Sequence, residues 1–529
     1  MPRTAGAALE SRAPRVDAAR PGRPDLAVVA IVLAGAAIRF LALGQQSLWY
    51  DEIDSIRRVW GVYAGTLAET ALQPRGPIYL LLLKGWIALF GLGEAQIRLL
   101  PAILGSIGLV LFHRVALRLL GRGKALIALA FLACSPFYLW YSQEATNYAL
   151  FFDLGLLAVP AFLIDIERRT PRTFIAALAA TVATCLANMS GYFLFILSAS
   201  YVLTSGLQRR YPWRRFILFA LLAAVILSPW MVGAKRTAGP LHLGPPSYGG
   251  DMGRVHGDGP PGFASIPFAF YAFTLGNSAG PNVEEFKRHR LAALKPHLWY
   301  LVPAGILFFL MACRGLQKAG WSVHQVLLPW VAIPLLLMVV ASMLNLKAPN
   351  PRYAYLAFAP FLFYLAIGVG SIRGRGLKAG VLGAMLLFMM GSDHQYFTNP
   401  RYWKSDTRSA GQLVTREARP DDAVVVYGLE PMLSYYLPSS IVLLVPNWTD
   451  FASRATMVDW LERHTSGRKR VWIAQYLWWA DPQDRFPQAC STVMTLERVW
   501  RFPQVQVYRF VKNGPGRADV QMRKQAGLQ

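Results

Sequence analysis

Cysteine is scarce and scattered. Four cysteines stand in 529 residues, at Cys134, Cys185, Cys313 and Cys490. With no CxxC and no Cys/His cluster, neither a disulfide framework nor a zinc site is suggested. Charge is the second shortage. Asp, Glu, Lys and Arg make up only 16% of the chain, too little for an ordinary soluble protein of this length. Acidic residues are the scarcer half, 29 against 54 Lys plus Arg, for a net charge of +25. The basic residues fall in short clusters between apolar runs and not on one polar module. That argues against nucleic acid, and for cytoplasmic loops and anionic lipid. No repeat of fixed period is visible. His242, His256 and His289 lie in a long Gly/Pro-rich stretch without metal-ligand spacing.

What the chain has in abundance is apolar sequence. It is 54% hydrophobic with mean hydropathy +0.33, which fits a polytopic membrane protein with some polar mass left over. Residues 1–24 are rich in Ala, Arg and Pro and are expected to be disordered. Run 26–43 has about the ~20 residues a bilayer requires. Five arginines precede it, Arg3, Arg12, Arg15, Arg20 and Arg23, which places the N-terminus in the cytoplasm. No small-residue cleavage site follows, so this is read as a retained helix and not a signal peptide. The stretch Ser47-Leu48-Trp49-Tyr50-Asp51-Glu52-Ile53-Asp54 is therefore outside, in a bacterium the periplasm.

Run 78–90 decides the topology. It is short, it follows Pro74-Arg75-Gly76-Pro77, and Arg114, Arg118, Arg122 and Lys124 surround the junction after the next run. Two helices lying along the outer surface, 53–66 and 77–90, satisfy both facts. Spans then fall at 98–119, 125–141, 149–165, 173–188, 192–207, 216–233, 298–313, 322–344, 354–371 and 377–391. With the first, that gives about eleven transmembrane helices. A long outer loop covers 234–297. Beyond 391 the pattern changes to β-rich runs, Ala423–Tyr427, 441–445, 471–474 and 505–510, separated by helical or turn stretches. The expectation is an α-helical polytopic membrane domain over 25–391. A small extracytoplasmic α/β domain follows over 392–513, then a disordered tail over 514–529.

With this topology the outer loops collect Asp51, Glu52 and Asp54, then Arg75 and Tyr79, then Glu144 and Tyr148, then Arg352 and Tyr353. Asp153 lies one helical turn deeper. Carboxylates and arginines on one membrane face are what is needed to deprotonate a hydroxyl while holding a phosphate. Each has a plainer reading. Asp51-Glu52 suits a helix N-terminus, and Arg75 and Arg352 suit interfacial anchors. Glu144 suits a solvated loop, and Asp153 a polar contact within the bundle.

The ordered series resembles the C-type membrane glycosyltransferases. Its pieces are Trp49-Tyr50-Asp51-Glu52, Pro74-Arg75-Gly76-Pro77-Ile78-Tyr79, and Phe90-Gly91-Leu92-Gly93-Glu94 leading to Arg98-Leu99-Leu100-Pro101. Further along come Ser135-Pro136-Phe137, Tyr141-Ser142-Gln143-Glu144-Ala145 with Tyr148, Leu275-Gly276-Asn277-Ser278-Ala279-Gly280-Pro281, and Arg352-Tyr353. The group includes protein O-mannosyltransferases, lipid A aminoarabinose transferases and bacterial family 39-like enzymes, and the likeness covers roughly 25–370. It implies a multi-span fold with the active site at the outer membrane surface and a sugar donor carried on polyprenyl phosphate. Transferred residue by residue, it makes Asp51 the general base on the acceptor hydroxyl and gives Glu52 the task of orienting it or holding the acceptor. Arg352, with Arg75, takes the donor phosphate, and Glu144 borders the same cavity. Tyr79, Tyr148 and Tyr353 fall among the substrate-binding positions. The implied reaction is displacement with inversion. The resemblance leaves a divalent ion open, since oligosaccharyltransferase relatives use one and many others do not, and no ligand set is visible here.

Three positions depart from the family pattern. Arg75-Gly76-Pro77 stands where His-Pro-Pro is common, Thr146 replaces an Arg, and no His occurs near Asn188. The expected function is thus an inner-membrane glycosyltransferase acting on an envelope glycan, lipid or protein. The competing class is a transporter or flippase of a lipid-linked glycan, which calls for polar spans and an internal repeat. Here the spans are nearly free of charge apart from Arg39 and Asp153.

Overall fold

The computed structural model describes residues 25–61, 64–74, 76–207, 212–238, 262–282, 285, 289–344, 349–428, 430–446, 453–476 and 485–512. Arg75, His242, His256 and the expected disordered segments at 1–24 and 514–529 lie outside the described residues.

Glycine and proline cut the apolar sequence into helices. The first group is α1 (Leu26–Phe40), α2 (Tyr50–Val59), α3 (Leu67–Ala71), α4 (Pro77–Phe90), α5 (Glu94–Leu120), α6 (Arg122–Ala133), α7 (Pro136–Ser142) and α8 (Tyr148–Arg168). The second is α9 (Pro171–Ala187), α10 (Phe193–Leu207), α11 (Trp213–Ala238), α12 (Ser265–Leu275), α13 (Leu298–Lys318), α14 (Trp321–Met343), α15 (Phe358–Gly370) and α16 (Arg375–Thr398). Among the described residues seven helices are long and apolar enough to cross a membrane, so the chain is a multi-pass membrane protein. The pair α6 and α7, bent by 59°, makes an eighth, and α1, α4, α9, α10 and α12 are shorter apolar helices. Apolar helices thus lie at each position expected for a span, and α4 and α12 lie outside those positions. The expected surface helix at 53–66 is shorter and earlier, as α2. Helix α4 spans 14 residues, about 21 Å at 1.5 Å per residue, short of a ~30 Å hydrocarbon core.

The bend between α6 and α7 explains the first charged residue inside a span. Pro136 starts α7 and cannot continue the helical ladder, so carbonyls at the end of α6 are left open. Arg39 of α1 fills them. Its guanidinium donates to Leu132 O at 3.0 Å, Ala133 O at 3.3 Å and its own Gly35 O at 2.6 Å, and lies 4.7 Å over the Tyr138 ring. Arg39 is thus a helix-end partner.

Helix α15 forms the centre of the membrane core, with nearly every side chain buried. It packs on α13 through Gly315 and Gly368. A Cβ on Gly315 would run into the Tyr364 carbonyl, and one on Gly368 into the Met311 carbonyl. Small residues at such crossings let helix backbones touch, which supplies dispersion contact that lipid does not replace.

Helix α16 continues to Thr398, past its expected end at 391. After a connection at 399–406 come α17 (Thr407–Glu417), β1 (Ala423–Tyr427), α18 (Glu430–Tyr436), β2 (Leu443–Leu444), α19 (Arg454–His464), β3 (Arg470–Tyr476), α20 (Arg485–Val493), β4 (Met494–Phe502) and β5 (Val505–Lys512). The described strands form one sheet in the order β2-β1-β3-β5-β4. β1 is parallel to β2 and β3, and β5 is antiparallel to β3 and β4. β4 was not expected from sequence. It is an edge strand carrying Glu497, Arg498 and Arg501, mostly exposed. Pairing with β5 across the Pro503-Gln504 turn, where Gln504 takes φ 55°, holds it in place of side-chain burial.

The Gly368 crossing gives a direct test. Gly368→Ala should cost roughly 1–3 kcal/mol of overpacking strain and lower the melting temperature of the solubilised protein. Gly391→Ala, where a Cβ meets open space, should leave it unchanged.

Candidate active site

Adjacent residues on a helix point about 100° apart, so the first turn of α2 sends Asp51 and Glu52 in different directions. Glu52 goes inward. It is fully buried and grips Arg98 of α5 through two bonds of 2.8 Å, Nε to Oε1 and Nη2 to Oε2. It also accepts from Ala145 N at 3.0 Å and Trp49 N at 3.2 Å, with Lys404 Nζ at 3.4 Å. Burial pushes this carboxyl up, but Arg98 and Lys404 outweigh it and hold it at about 2. The carboxylate does not line the cavity beside Asp51. Glu52, expected to orient or hold the acceptor, has its carboxylate engaged by protein donors and fixes α2 against α5 and the 144–145 backbone.

Asp51 goes outward. It lines a cavity of ≈ 580 Å³ and pairs there with Arg352. Arg352 enters from the short 3₁₀ turn Pro351–Ala357, whose start is capped by Asn350 Oδ1 accepting from Arg352 N at 3.0 Å. Its guanidinium lies 5.7 Å from the centre of the Tyr148 ring and 5.5 Å from that of Tyr353, a stacked setting that suits arginine and not lysine. Two buried polar atoms among the described residues have no hydrogen-bond partner here, Arg352 Nε and the Tyr79 hydroxyl. A buried donor left open in this way is costly unless a ligand or water completes it.

The cavity lining is part polar and part apolar. Asn147, Asn188, Ser190 and the Asp54–Arg58 ion pair, 2.9 Å, supply the first. Met189, Phe193, Met338 and Ala341 supply the second. Gly76, at φ 66°, closes one side, with Asn147 and the Ala187 carbonyl standing where a Cβ would go. Its neighbour Arg75 lies outside the described residues. Thr146 lines the cavity where the family pattern has an arginine.

Glu144 lies just behind this lining. It is fully buried and accepts from Trp140 Nε1 at 2.8 Å and Thr146 Oγ1 at 3.0 Å. Burial lifts its carboxyl to about 7, with Lys404 pulling the other way. Lys404 is itself buried, 3.9 Å from Glu144 and 5.8 and 5.4 Å from the Trp49 and Trp140 ring centres. Sequence reasoning missed both Lys404 and the role of Arg98. The available signal for Lys404 was a lysine inside the aromatic run Tyr402-Trp403-Lys404, just past the last span. Asp153 sits deeper, 4% exposed, beside Gly108 and Tyr138 and away from the cavity.

These contacts bear on the topology. Glu52 accepts from Ala145 N, and Lys404 lies within 4 Å of both Glu52 and Glu144. Asp51 and Glu144 are thus at the same end of the bundle, as required if α4 does not cross. The stretch before Asp51 is also held from the C-terminal side. Lys404 N donates to Gln46 Oε1 at 3.0 Å, Ser47 Oγ to Asp406 Oδ1 at 2.8 Å, and Leu48 N to the Tyr436 hydroxyl at 2.8 Å. Arg408 reaches Glu94 and the carbonyls of Gly44 and Gln45. Among the described residues no group of three His, Cys, Asp or Glu side chains converges on one point. Among the described residues the carboxylates that approach one another are engaged by arginine and lysine.

Two tests follow from this arrangement. Arg98→Met should cost about 3–5 kcal/mol by stranding a buried carboxylate, and adding Glu52→Gln should recover part of the lost melting temperature. Glu144 titrates at about 7 against an ordinary 4.5. A raised folded-state value means its contribution to stability is complete below about 4.5 and is lost as pH rises through 7. The melting temperature should therefore fall between pH 5 and pH 8, and Glu144→Gln should flatten that fall.

Comparison with known proteins agrees with this geometry. The sequence profile described as dolichyl-phosphate-mannose-protein mannosyltransferase matches residues 73–232. A search of curated proteins finds no match. The crystal structure of ArnT from Cupriavidus metallidurans bound to undecaprenyl phosphate superposes with a TM-score of 0.55 at 15% identity. The match covers 91% of this chain and 97% of that one. The oligosaccharyltransferase of Archaeoglobus fulgidus, in complex with Zn and sulfate, gives 0.50 at 14% identity over 92% of this chain and 73% of that one. The same enzyme tethered to an acceptor peptide gives 0.51 at 13%, over 92% and 74%. The chain has the fold of the C-type membrane glycosyltransferases.

Proposed function

We propose that this protein is a glycosyltransferase of the bacterial inner membrane. It would move a sugar from a polyprenyl-phosphate donor to a hydroxyl of an envelope glycan, lipid or protein outside the cytoplasm. The observation that carries the reading is the Asp51–Arg352 pair facing a cavity lined by both polar and apolar side chains. A carboxylate serves as base for the acceptor proton, and a stacked arginine receives a phosphate. The polar lining residues Asn147, Asn188 and Ser190 suit a sugar, and the apolar ones Phe193, Met338 and Ala341 suit a prenyl chain. ArnT, with undecaprenyl phosphate in its crystal structure, supports the donor class. The orientation is supported by Arg118, Arg122 and Arg215. They form ion pairs with Glu167, Asp25 and Asp165 at helix ends remote from Asp51, the arginine-rich side that normally faces the cytoplasm.

In this mechanism the pair exchanges partners. The donor phosphate takes the Arg352 guanidinium and releases Asp51. The acceptor oxygen attacks the anomeric carbon from the face opposite the phosphate and gives its proton to Asp51. The bond from the anomeric carbon to the phosphate oxygen breaks, leaving polyprenyl phosphate on Arg352 and an inverted glycosidic linkage. Tyr148 and Tyr353 keep the guanidinium in plane, and the open Tyr79 hydroxyl is placed to bind donor or acceptor oxygen.

Mass spectrometry of envelope glycans and lipids from a deletion strain should name the sugar and acceptor. With that donor in reconstituted bilayers, Asp51→Asn should lower turnover about 10²–10⁴-fold at unchanged melting temperature. Full activity in that variant would remove the reading. Arg352→Lys should weaken donor use more than acceptor use.

A further inference from the structure

Three carboxylates and three cations meet at the cavity and behind it. Asp51 pairs with Arg352 and Glu52 with Arg98, all on the membrane domain. Among the described residues the cation that pairs with Glu144 is Lys404, from the connection between α16 and the C-terminal domain. The charged groups acting on Glu144 are Lys404, Asp51, Glu52 and Arg352, with the Tyr79, Tyr148 and Tyr396 hydroxyls also within its field, and those acting on Lys404 are Glu52, Arg98 and Glu144. Lys404 therefore decides whether Glu144 finds a counter-charge.

Its contacts lead to both ends of the proposed chemistry. Trp49, against which the ammonium packs, is the residue at the N-terminus of α2, two before Asp51. Glu52, 3.4 Å away, follows Asp51. Trp140, the other ring beside the ammonium, donates to Glu144. Glu144 also accepts from Thr146, in the segment leading to Tyr148, on which Arg352 stacks. A buried ammonium needs such partners. It costs several kcal/mol to desolvate, and a carboxylate left alone in the same place takes up a proton instead.

We propose that Lys404 is a positioning residue of this active site, through which the seat of the C-terminal domain sets the charge of Glu144 and the placement of Asp51 and Arg352. The proposal rests on the reaction proposed above. The domain is then part of the site's construction, and its removal at 392 would take Lys404 with it.

The experiment uses the full chain in bilayer nanodiscs, with the variants Lys404→Met, Lys404→Arg, Glu144→Gln and the double variant Lys404→Met with Glu144→Gln. In the wild type the acid limb of the pH–rate profile should have its midpoint near 7, where Glu144 ionises. Lys404→Met should move it up by about one unit or more and reduce kcat about tenfold or more with donor KM little changed. Lys404→Arg should restore most of the limb. Equal loss at every pH would overturn the proposal. Melting temperatures close the test without substrate. Neutralising Glu144 should rescue Lys404→Met, so that the double variant is more stable than the sum of the two single effects. Folding of the double variant alone, with Lys404→Met unfolded, would support the coupling equally. Additive effects would overturn the coupling whether or not sugar is transferred. Absence of transfer by the wild type with every donor would count against the reaction and leave the stability result to judge Lys404.

Discussion

The buried pair of Arg98 and Glu52 is the constraint on which the rest of the site depends. All five N–H donors of a guanidinium are used: two on Glu52, two on the carbonyls of Leu43 and Gln46, one on that of Ser47. A buried ion pair repays its desolvation only when such bonds complete it. Here completion has a geometric product. The irregular chain between α1 and α2 is wound around one planar group fixed to α5, and the start of α2 is thereby located. Asp51, one residue before Glu52, is carried to the cavity by a helix that cannot rotate without breaking this set.

The three carboxylates of the region illustrate how environment separates like groups. Glu52 has a bidentate arginine and two backbone donors and stays ionised to about 2. Glu144, equally buried, has two neutral donors and a lysine at the edge of contact, and titrates at about 7. Asp51 faces the cavity, its side chain 28% exposed, with a partner a phosphate would also attract. Divergence of this kind separates chemically similar groups: one holds the backbone, one is pushed toward neutrality by burial, and one faces the cavity.

Much of this was legible in the sequence. Span positions follow from apolar run length, and the sides of the loops from arginine placement, both local properties. The ordering of Asp51, Glu144 and Arg352 on one face came from the same two facts. What was not legible is what adjacency conceals. Asp51 and Glu52 are neighbours in sequence, but helix geometry sends one to the cavity and the other to the core. Lys404 meets Glu52 across 352 positions of sequence, and no periodicity reports such a distance. The edge strand β4 was missed because its alternation is charged and exposed, so its place depends on backbone pairing with β5.

The position of the C-terminal domain follows from the same economy. A loop at a membrane boundary has few apolar neighbours to hold it, and the stretch from Gly44 to Glu52 is mostly irregular. The membrane domain constrains it from one side through Arg98. The connection after α16 constrains it from the other through Lys404, Asp406 and Arg408, with Tyr436 of α18 closing the gap. The segment is thus held from both sides, and the carboxylate that faces the cavity belongs to it. Fixing a reactive group within fractions of an ångström requires support from its neighbours as well as its own helix. In this chain the support is divided between the two domains, so the carboxylate that faces the cavity is held from both sides.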